Sequence, residues 1–396
     1  MDELKVGILT DMCGPFFGGG YQGTLWEVAR RLARRHDVRV YTSLPVPHDE
    51  RERVKFHRVL PMGLYPDTTG TRGALQPALI PTLLARDVIA PWTPDAVIVE
   101  AMPLSHLPVI GRWLRRRPEL RLLNVDEAWV GYPPFSGAIA PASLRAARWL
   151  LSQGLAWSDT ALAVSESTAT ALAGAYAARD VLAFPSGIDV TRLRAELPPE
   201  DSERAWDVIS VGRLVPMKRH IDLVHALGLL KRRHGWSGRA VIVGDGPCRA
   251  ELEAGIRVEA LSGQVELVGR VDEARKMDLL GRSRLFVLSS EREGFSLATL
   301  EAMLAGCLPI VAEPQFPEVF GAGGLVVEGR TGHRYPLGAV ERLTEVLHRL
   351  LSDPGSLRPL VENARAVAPS YDWDALIAKF EPELLRRVRG REPSRL

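Results

Sequence analysis

The stretch 285–312, LFVLSSEREGFSLATLEAMLAGCLPIVA, constrains this chain more than any other. Two short apolar runs, residues 285–288 and 308–312, bracket it, and each has the length and bulk of a buried strand. Between them come a polar loop, 289–294, and a helix-like segment, 295–305. Ser296 is placed to cap that helix at its N-terminus and Gly306 to close it. The unit is strand–loop–helix–strand, the repeating element of a parallel α/β sheet. Amides left free at the helix start, at Phe295, Ser296 and Leu297, suit a phosphate, and the helix dipole adds to their pull. Gly294 lets such a ligand approach the backbone closely. Glu293 stands just before the helix and Glu301 one to two turns inside it. With phosphates on the amides, a ribose would lie near Glu301 and the other end of the ligand near Glu293. Both carboxylates would accept hydrogen bonds from sugar hydroxyls. The plain alternative leaves the two glutamates on a solvated helix face.

At 396 residues the chain is long for one domain, and two is the better expectation. Hydrophobic content of 46% and charged content of 25% are ordinary for a soluble globular protein. The net charge of +2 is spread evenly, so neither half reads as a nucleic-acid arm. Cys13, Cys248 and Cys307 form no CxxC pair, which fits a reducing cytoplasm and argues against a disulfide framework or a zinc site. An apolar strand begins at Leu4, leaving no room for a signal peptide. The longest uncharged run, 128–144, is broken by prolines and glycines and is no membrane span.

Further strands are expected at 4–10, 38–41, 96–99, 120–125, 160–164 and 181–184, then at 207–211, 240–243 and 265–268. Gly18, Gly20 and Gly23 formally meet GxGxxG. The glycines begin well beyond the strand, however, and the second strand lacks an acid for a nicotinamide-cofactor ribose. Arg213 and Lys218, two cations near one strand end, suit a diphosphate. Lysine is scarce in this arginine-rich chain, which makes Lys218 conspicuous. Asp372 and Asp374 match a DxD metal signature, but they stand just before a final helix at 375–388, where aspartates cap and complement the dipole. The basic segment 111–121, together with Arg145, Arg148 and Trp149, reads either as a solvated helix face or as a contact for anionic lipid headgroups.

The segments SVGRLVPMKRHIDLVHAL, VIVGDGP, VELVGRV and EREGFSLATLEAMLAG follow one another in an order that resembles the retaining GT-B glycosyltransferases of family GT4. Glu293 and Glu301 meet the Glu-x7-Glu pattern, and Arg213 and Lys218 the Arg-x4-Lys pattern. The likeness is specific over residues 205–335 and looser from the N-terminus to Asp189. It implies an α/β fold of two Rossmann-like parallel-sheet domains facing a cleft. The expected divisions are an acceptor domain at 1–190, a linker at 191–205, a donor domain at 206–370 and a closing helix at 371–396. It also implies a metal-independent, retaining hexosyltransferase with no cofactor, moving sugar from a UDP- or GDP-sugar to a glycan or lipid-linked cell-envelope acceptor. Cytoplasmic, peripheral membrane association goes with that picture.

By the same resemblance Arg213, Lys218 and Glu293 are the catalytic candidates, and Asp126 joins them by its position at the end of an N-terminal strand. Gly18, Gly19 and Gly20 would face the donor diphosphate, and Arg270 and Val271 the base. Gly294, Phe295, Ser296, Leu297 and Glu301 would hold the rest of the donor. After the strand ending at Val125 many relatives place a histidine followed by an acid, whereas this chain has Asp126 and Glu127. No catalytic histidine is therefore carried over. His106 is either structural or, with Glu127, part of the acceptor site. A nucleotide-sugar epimerase of the same fold is the main rival, kept open by Asp126 and Glu127. A catalytically silent sugar-binding protein is disfavoured by the intact Arg213, Lys218, Glu293 and Glu301.

Overall fold

The computed structural model describes residues 3–10, 20–42, 54–58, 92–101, 104, 107–114, 119–125, 141–200, 202–291, 293–313 and 324–390. The chain divides into two compact units, one of residues 1–186 with 373–396 and one of residues 187–372.

In the first unit the described strands are β1 (Lys5–Leu9), β2 (Asp37–Thr42), β3 (Lys55–Arg58), β4 (Ala96–Glu100), β5 (Leu120–Val125), β6 (Thr160–Ala163) and β7 (Val181–Ala183). They form one parallel sheet in the order β3-β2-β1-β4-β5-β6-β7. Both faces are covered, and period-two alternation decides which residue goes where. On β4, Ala96 and Ile98 join one core and Val97 and Val99 the other; on β5, Leu122 and Leu123 divide the same way.

The helix Trp373–Arg389 belongs to this first unit. Its Trp373, Leu376, Ile377, Phe380 and Leu384 are buried in the core of Val6, Ile8 and Phe184, with the rings of Phe184 and Phe380 4.5 Å apart. Ion pairs flank it, Asp374 to Arg31 at 2.8 Å and Arg387 to Asp180 at 3.1 Å. Each buried apolar side chain contributes ~1.5–3 kcal/mol, and five of them outweigh two pairs whose carboxylates, Asp374 and Asp180, are open to water. Packing, rather than the charges, therefore fastens the helix.

The second unit carries β8 (Trp206–Val211), β9 (Ala240–Val243), β10 (Val265–Gly269), β11 (Ser283–Leu288), β12 (Leu308–Glu313) and β13 (His333–Pro336). These are parallel and ordered β10-β9-β8-β11-β12-β13. Phe286 and Leu288 face the core beneath the helix Leu297–Ala305, while Leu285 and Val287 face the opposite one. The strand order reverses between β1 and β4 in one unit and between β8 and β11 in the other. Loops after the two strands at such a point diverge and leave a crevice at the carboxyl edge of the sheet.

Two expectations change. Residues 191–205, expected as a linker, lie within the second unit. The helix Val190–Ala195 buries Val190 and Leu193 in that unit's core beside Trp206 and Ile209. Ile188 N–H donates to the Tyr371 carbonyl at 3.0 Å, and Val190 N–H to Asp372 Oδ2 at 3.0 Å. The change of unit therefore falls at 186/187 and 372/373. Strands β3 and β13 were not expected either; both are edge strands, KFHR and HRYP, too short and polar to show alternation.

Candidate functional site

The carboxyl edge of the second sheet, at β8 and β11, gathers the residues singled out by sequence. From β8 the chain passes through Gly212, exposed Arg213 and buried Leu214 into a 3-10 turn, Pro216–Lys218, and then the helix His220–His234. This loop is shaped by the turn after β9. Leu214 N–H donates to the Asp245 carbonyl at 2.9 Å, and Cys248 N–H to the Leu214 carbonyl at 2.9 Å. Gly244 (φ +144°) lies so close that a Cβ there would meet the Gly212 carbonyl oxygen at 1.8 Å. The GDGP turn is thus a support for the Arg213–Lys218 loop and needs glycine on steric grounds.

From β11 the chain runs through Ser289, Ser290 and Glu291, all buried, to Glu293, Gly294 and the helix Leu297–Ala305. Ser296 is the N-cap, its Oγ accepting from Thr299 N–H at 3.3 Å, and Gly306 closes the helix in the left-handed region at φ +77°. The first amides of this helix have no carbonyl one turn behind them, so a phosphate meets both donors and the positive end of the dipole.

The two loops are tied together. Glu291 N–H donates to the Met217 carbonyl at 2.9 Å. Arg219, a non-glycine residue at φ +46°, holds Asp222 through two bonds of 2.8 and 3.0 Å and reaches Glu291 at 3.5 Å. A left-handed non-glycine residue costs about 1–2 kcal/mol, which the bidentate pair to buried Asp222 offsets. The result brings Lys218 Nζ into an ion pair with Glu293 Oε1, both side chains largely buried. Two residues chosen for separate roles are therefore direct partners.

Glu301 is also paired. Lys276, from the helix Glu273–Gly281, places its Nζ 2.8 Å from Glu301 Oε1 and 3.7 Å from Glu273. Burial works against this ammonium, but Glu301 and then Glu273 outweigh it and hold it above the usual lysine range. The helix-face alternative for Glu301 fails, because the residue is 8% exposed. Beneath the same edge His220 is buried, with Nδ1 3.1 Å from Ser210 Oγ, which itself donates to the Val287 carbonyl at 2.8 Å. Ser290 Oγ is buried with no hydrogen-bond partner among the described residues. Phe295 packs on Tyr371 with ring centroids 5.4 Å apart, Arg270 is exposed and Val271 half-buried.

Lys276, Arg219, Asp222, Glu291 and His220 escaped the sequence reading. Lys276 carried one available signal, its rarity in this chain. In the first unit Gly20 opens the helix Gly20–Leu32. Gly18, Gly19, His106, Asp126 and Glu127 lie outside the described residues. At that unit's carboxyl edge Glu100 is buried and accepts from Asn124 Nδ2 at 3.2 Å, a carboxylate sequence reasoning passed over. The DxD aspartates serve elsewhere, Asp372 on the Val190 amide and Asp374 on Arg31 and Arg34.

Two family models match the chain almost end to end: Glycosyltransferase Family 4 over residues 18–192 and Glycosyl transferases group 1 over residues 194–367. A GDP-mannose-dependent alpha-mannosyltransferase of Mycobacterium tuberculosis is 29% identical over 368 residues, covering 89% of this chain and 89% of that protein. An exopolysaccharide phosphotransferase of Streptomyces coelicolor is 30% identical over 50% of this chain, which spans only 20% of that relative's length. Among solved structures, Anabaena Alr3699/HepE in complex with UDP and glucose superposes with a TM-score of 0.73 at 19% identity, covering 97% of this chain and 100% of the other.

Proposed function

The chain belongs to the group 1, family 4 glycosyltransferases of GT-B fold, and we propose that it transfers a sugar from a UDP- or GDP-sugar to a glycan or lipid-linked acceptor. Anomeric configuration is retained and no metal ion takes part. The observation that carries this reading is the Lys218–Glu293 pair beside the N-terminus of the helix Leu297–Ala305, at the carboxyl edge where the strand order reverses. A cation, free helix amides and a neighbouring carboxylate are what a nucleotide-diphosphate sugar requires. GDP-mannose in the name of the mycobacterial relative and UDP in the Anabaena complex support the two nucleotides.

In the reaction the bond between the anomeric carbon and the diphosphate oxygen breaks. The acceptor oxygen bonds to the same face of that carbon, and its proton passes to the departing diphosphate. Charge grows on the diphosphate, where Arg213, Lys218 and the helix amides stabilise it. An ammonium has three N–H donors; one serves Glu293, leaving two for phosphate oxygens. Glu293, held by Lys218, orients the sugar. Glu301, held by Lys276, accepts from the ribose. Asp126, which follows β5 in sequence, is assigned to the acceptor or the donor sugar.

Peripheral contact with an anionic membrane is supported by the acid-free helix Pro141–Trp157, where Trp149 is 57% exposed beside exposed Arg145 and Arg148. No helix among the described residues is long and apolar enough to cross a membrane. The test is a thermal-shift panel with UDP, GDP and ADP, followed by transfer assays in excess EDTA. A nucleotide at ~100 times its dissociation constant stabilises by ~2.7 kcal/mol. Absence of any shift removes the donor site, and abolition by EDTA with recovery on Mg²⁺ removes the metal-free mechanism.

A further inference from the structure

The second unit has another cationic feature, at the opposite edge of its sheet. There β8 and β11 begin and the helices Glu273–Gly281 and Leu297–Ala305 end. A cavity of about 330 Å³ opens among them, lined by Arg194, Arg204 and Arg365, by Glu200, and by apolar groups including Leu197 and Leu304. That volume is at the lower end of the range typical of small-molecule sites.

Bonds to the backbone account for only part of this. Arg204 Nη1 donates to the carbonyl of Ser283, the first residue of β11, at 2.6 Å, and Arg365 Nη2 to the carbonyl of Ala305, at a helix end, at 3.5 Å. Each guanidinium offers five N–H donors. Arg365 Nε is buried with no hydrogen-bond partner among the described residues. Arg365 lies against Gly306, where a Cβ would come within 2.4 Å of its guanidinium, so the glycine leaves room for it. The carboxylate of Glu200 reaches Arg365 only at 4.0 Å and is 95% exposed, which leaves it screened by water. The adjacent Arg284 is matched by Asp207 at 3.8 Å. Burial first, and then the charges of Arg365 and Arg284, work against the charged form of Arg204.

The charge balance decides between capping and binding. Two helix C-termini supply about half a negative charge each. With Glu200 they leave roughly one positive charge unmatched among Arg194, Arg204 and Arg365. We propose that this cavity is a binding site for a small phosphate ester, separate from the donor site and at the other end of the helix Leu297–Ala305. The arginines would take the phosphate oxygens through charge-assisted forks, and the wall of Leu197 and Leu304 would take the organic part.

The test is titration calorimetry of the full chain with glycerol 3-phosphate at low ionic strength. The variants are Arg194→Gln/Arg365→Gln, exposed Arg194→Gln alone, and Lys218→Gln at the donor site. Wild type and Lys218→Gln should bind alike. The double variant should bind at least tenfold more weakly, as expected for losing charge-assisted bonds, while keeping a cooperative melting transition without ligand. If it does not fold, Arg194→Gln should still weaken binding at least threefold. Binding lost only in Lys218→Gln places the anion at the donor site and overturns the proposal. So does unchanged binding in both arginine variants, or no wild-type binding up to about 10 mM.

Discussion

Replacing His220 with asparagine should remove a pH dependence of stability between pH 4 and 6.5. The imidazole is 5% exposed beneath the Lys218 turn. His220 Nδ1 lies 3.1 Å from Ser210 Oγ, whose proton goes to the Val287 carbonyl, and an asparagine amide can meet the same hydroxyl. Burial, then the charge of Lys218, push the histidine pKa from 6.5 down to about 4, with the Arg213 backbone opposing them. Between those values the unfolded chain binds a proton that the folded chain refuses. The stabilisation is therefore complete above pH 6.5 and lost as pH falls towards 4. The shift corresponds to a loss of about 2 kcal/mol at pH 5 relative to pH 7.5. Urea unfolding of wild type and His220→Asn at the two pH values measures it. The stability gap between the proteins should move by that amount in favour of the variant on acidification. If the gap is the same at both pH values within about 0.5 kcal/mol, His220 does not titrate with the depressed pKa that its burial implies.

Lys218→Ala should lower kcat/KM by ~10²–10³, with only partial rescue by Lys218→Arg because the planar fork is aimed differently; near-normal transfer by the alanine variant would refute its role at the diphosphate. Glu301→Gln should weaken UDP or GDP binding about tenfold or more, and Lys276→Met should weaken it through the same carboxylate, so the double variant should be little worse than Glu301→Gln alone. Fully additive losses in calorimetry would show the two residues acting separately. Gly244→Ala should destabilise the second unit by more than about 2 kcal/mol, since its Cβ would strike the Gly212 carbonyl; an unchanged melting temperature would show that the turn yields. Asp126→Asn should cut turnover while sparing nucleotide affinity, and full activity in that variant would make the position structural.

Features written within a short window are legible from the residues alone. The apolar runs at 285–288 and 308–312 became β11 and β12, and Ser296 and Gly306 cap the helix between them. A buried strand or a helix cap is written in adjacent residues, through periodicity and local backbone preference. The order of motifs sufficed for the family, and a glutamate on each side of the helix start marked the candidate site. The edge strands β3 and β13 stayed hidden because sheet position, rather than side-chain pattern, makes them strands. The division at 186/187 depended on Ile188 and Val190 finding Tyr371 and Asp372, far along the chain. The partners at the site come from packing between segments far apart in the chain. Lys218 meets Glu293 across 75 positions, and Lys276 meets Glu301 across 25. Both pairings follow from the order of strands and helices around β8 and β11, which folds distant loops onto one edge. Charge alone does not select a partner in a chain with 50 basic and 48 acidic side chains; proximity imposed by the sheet does.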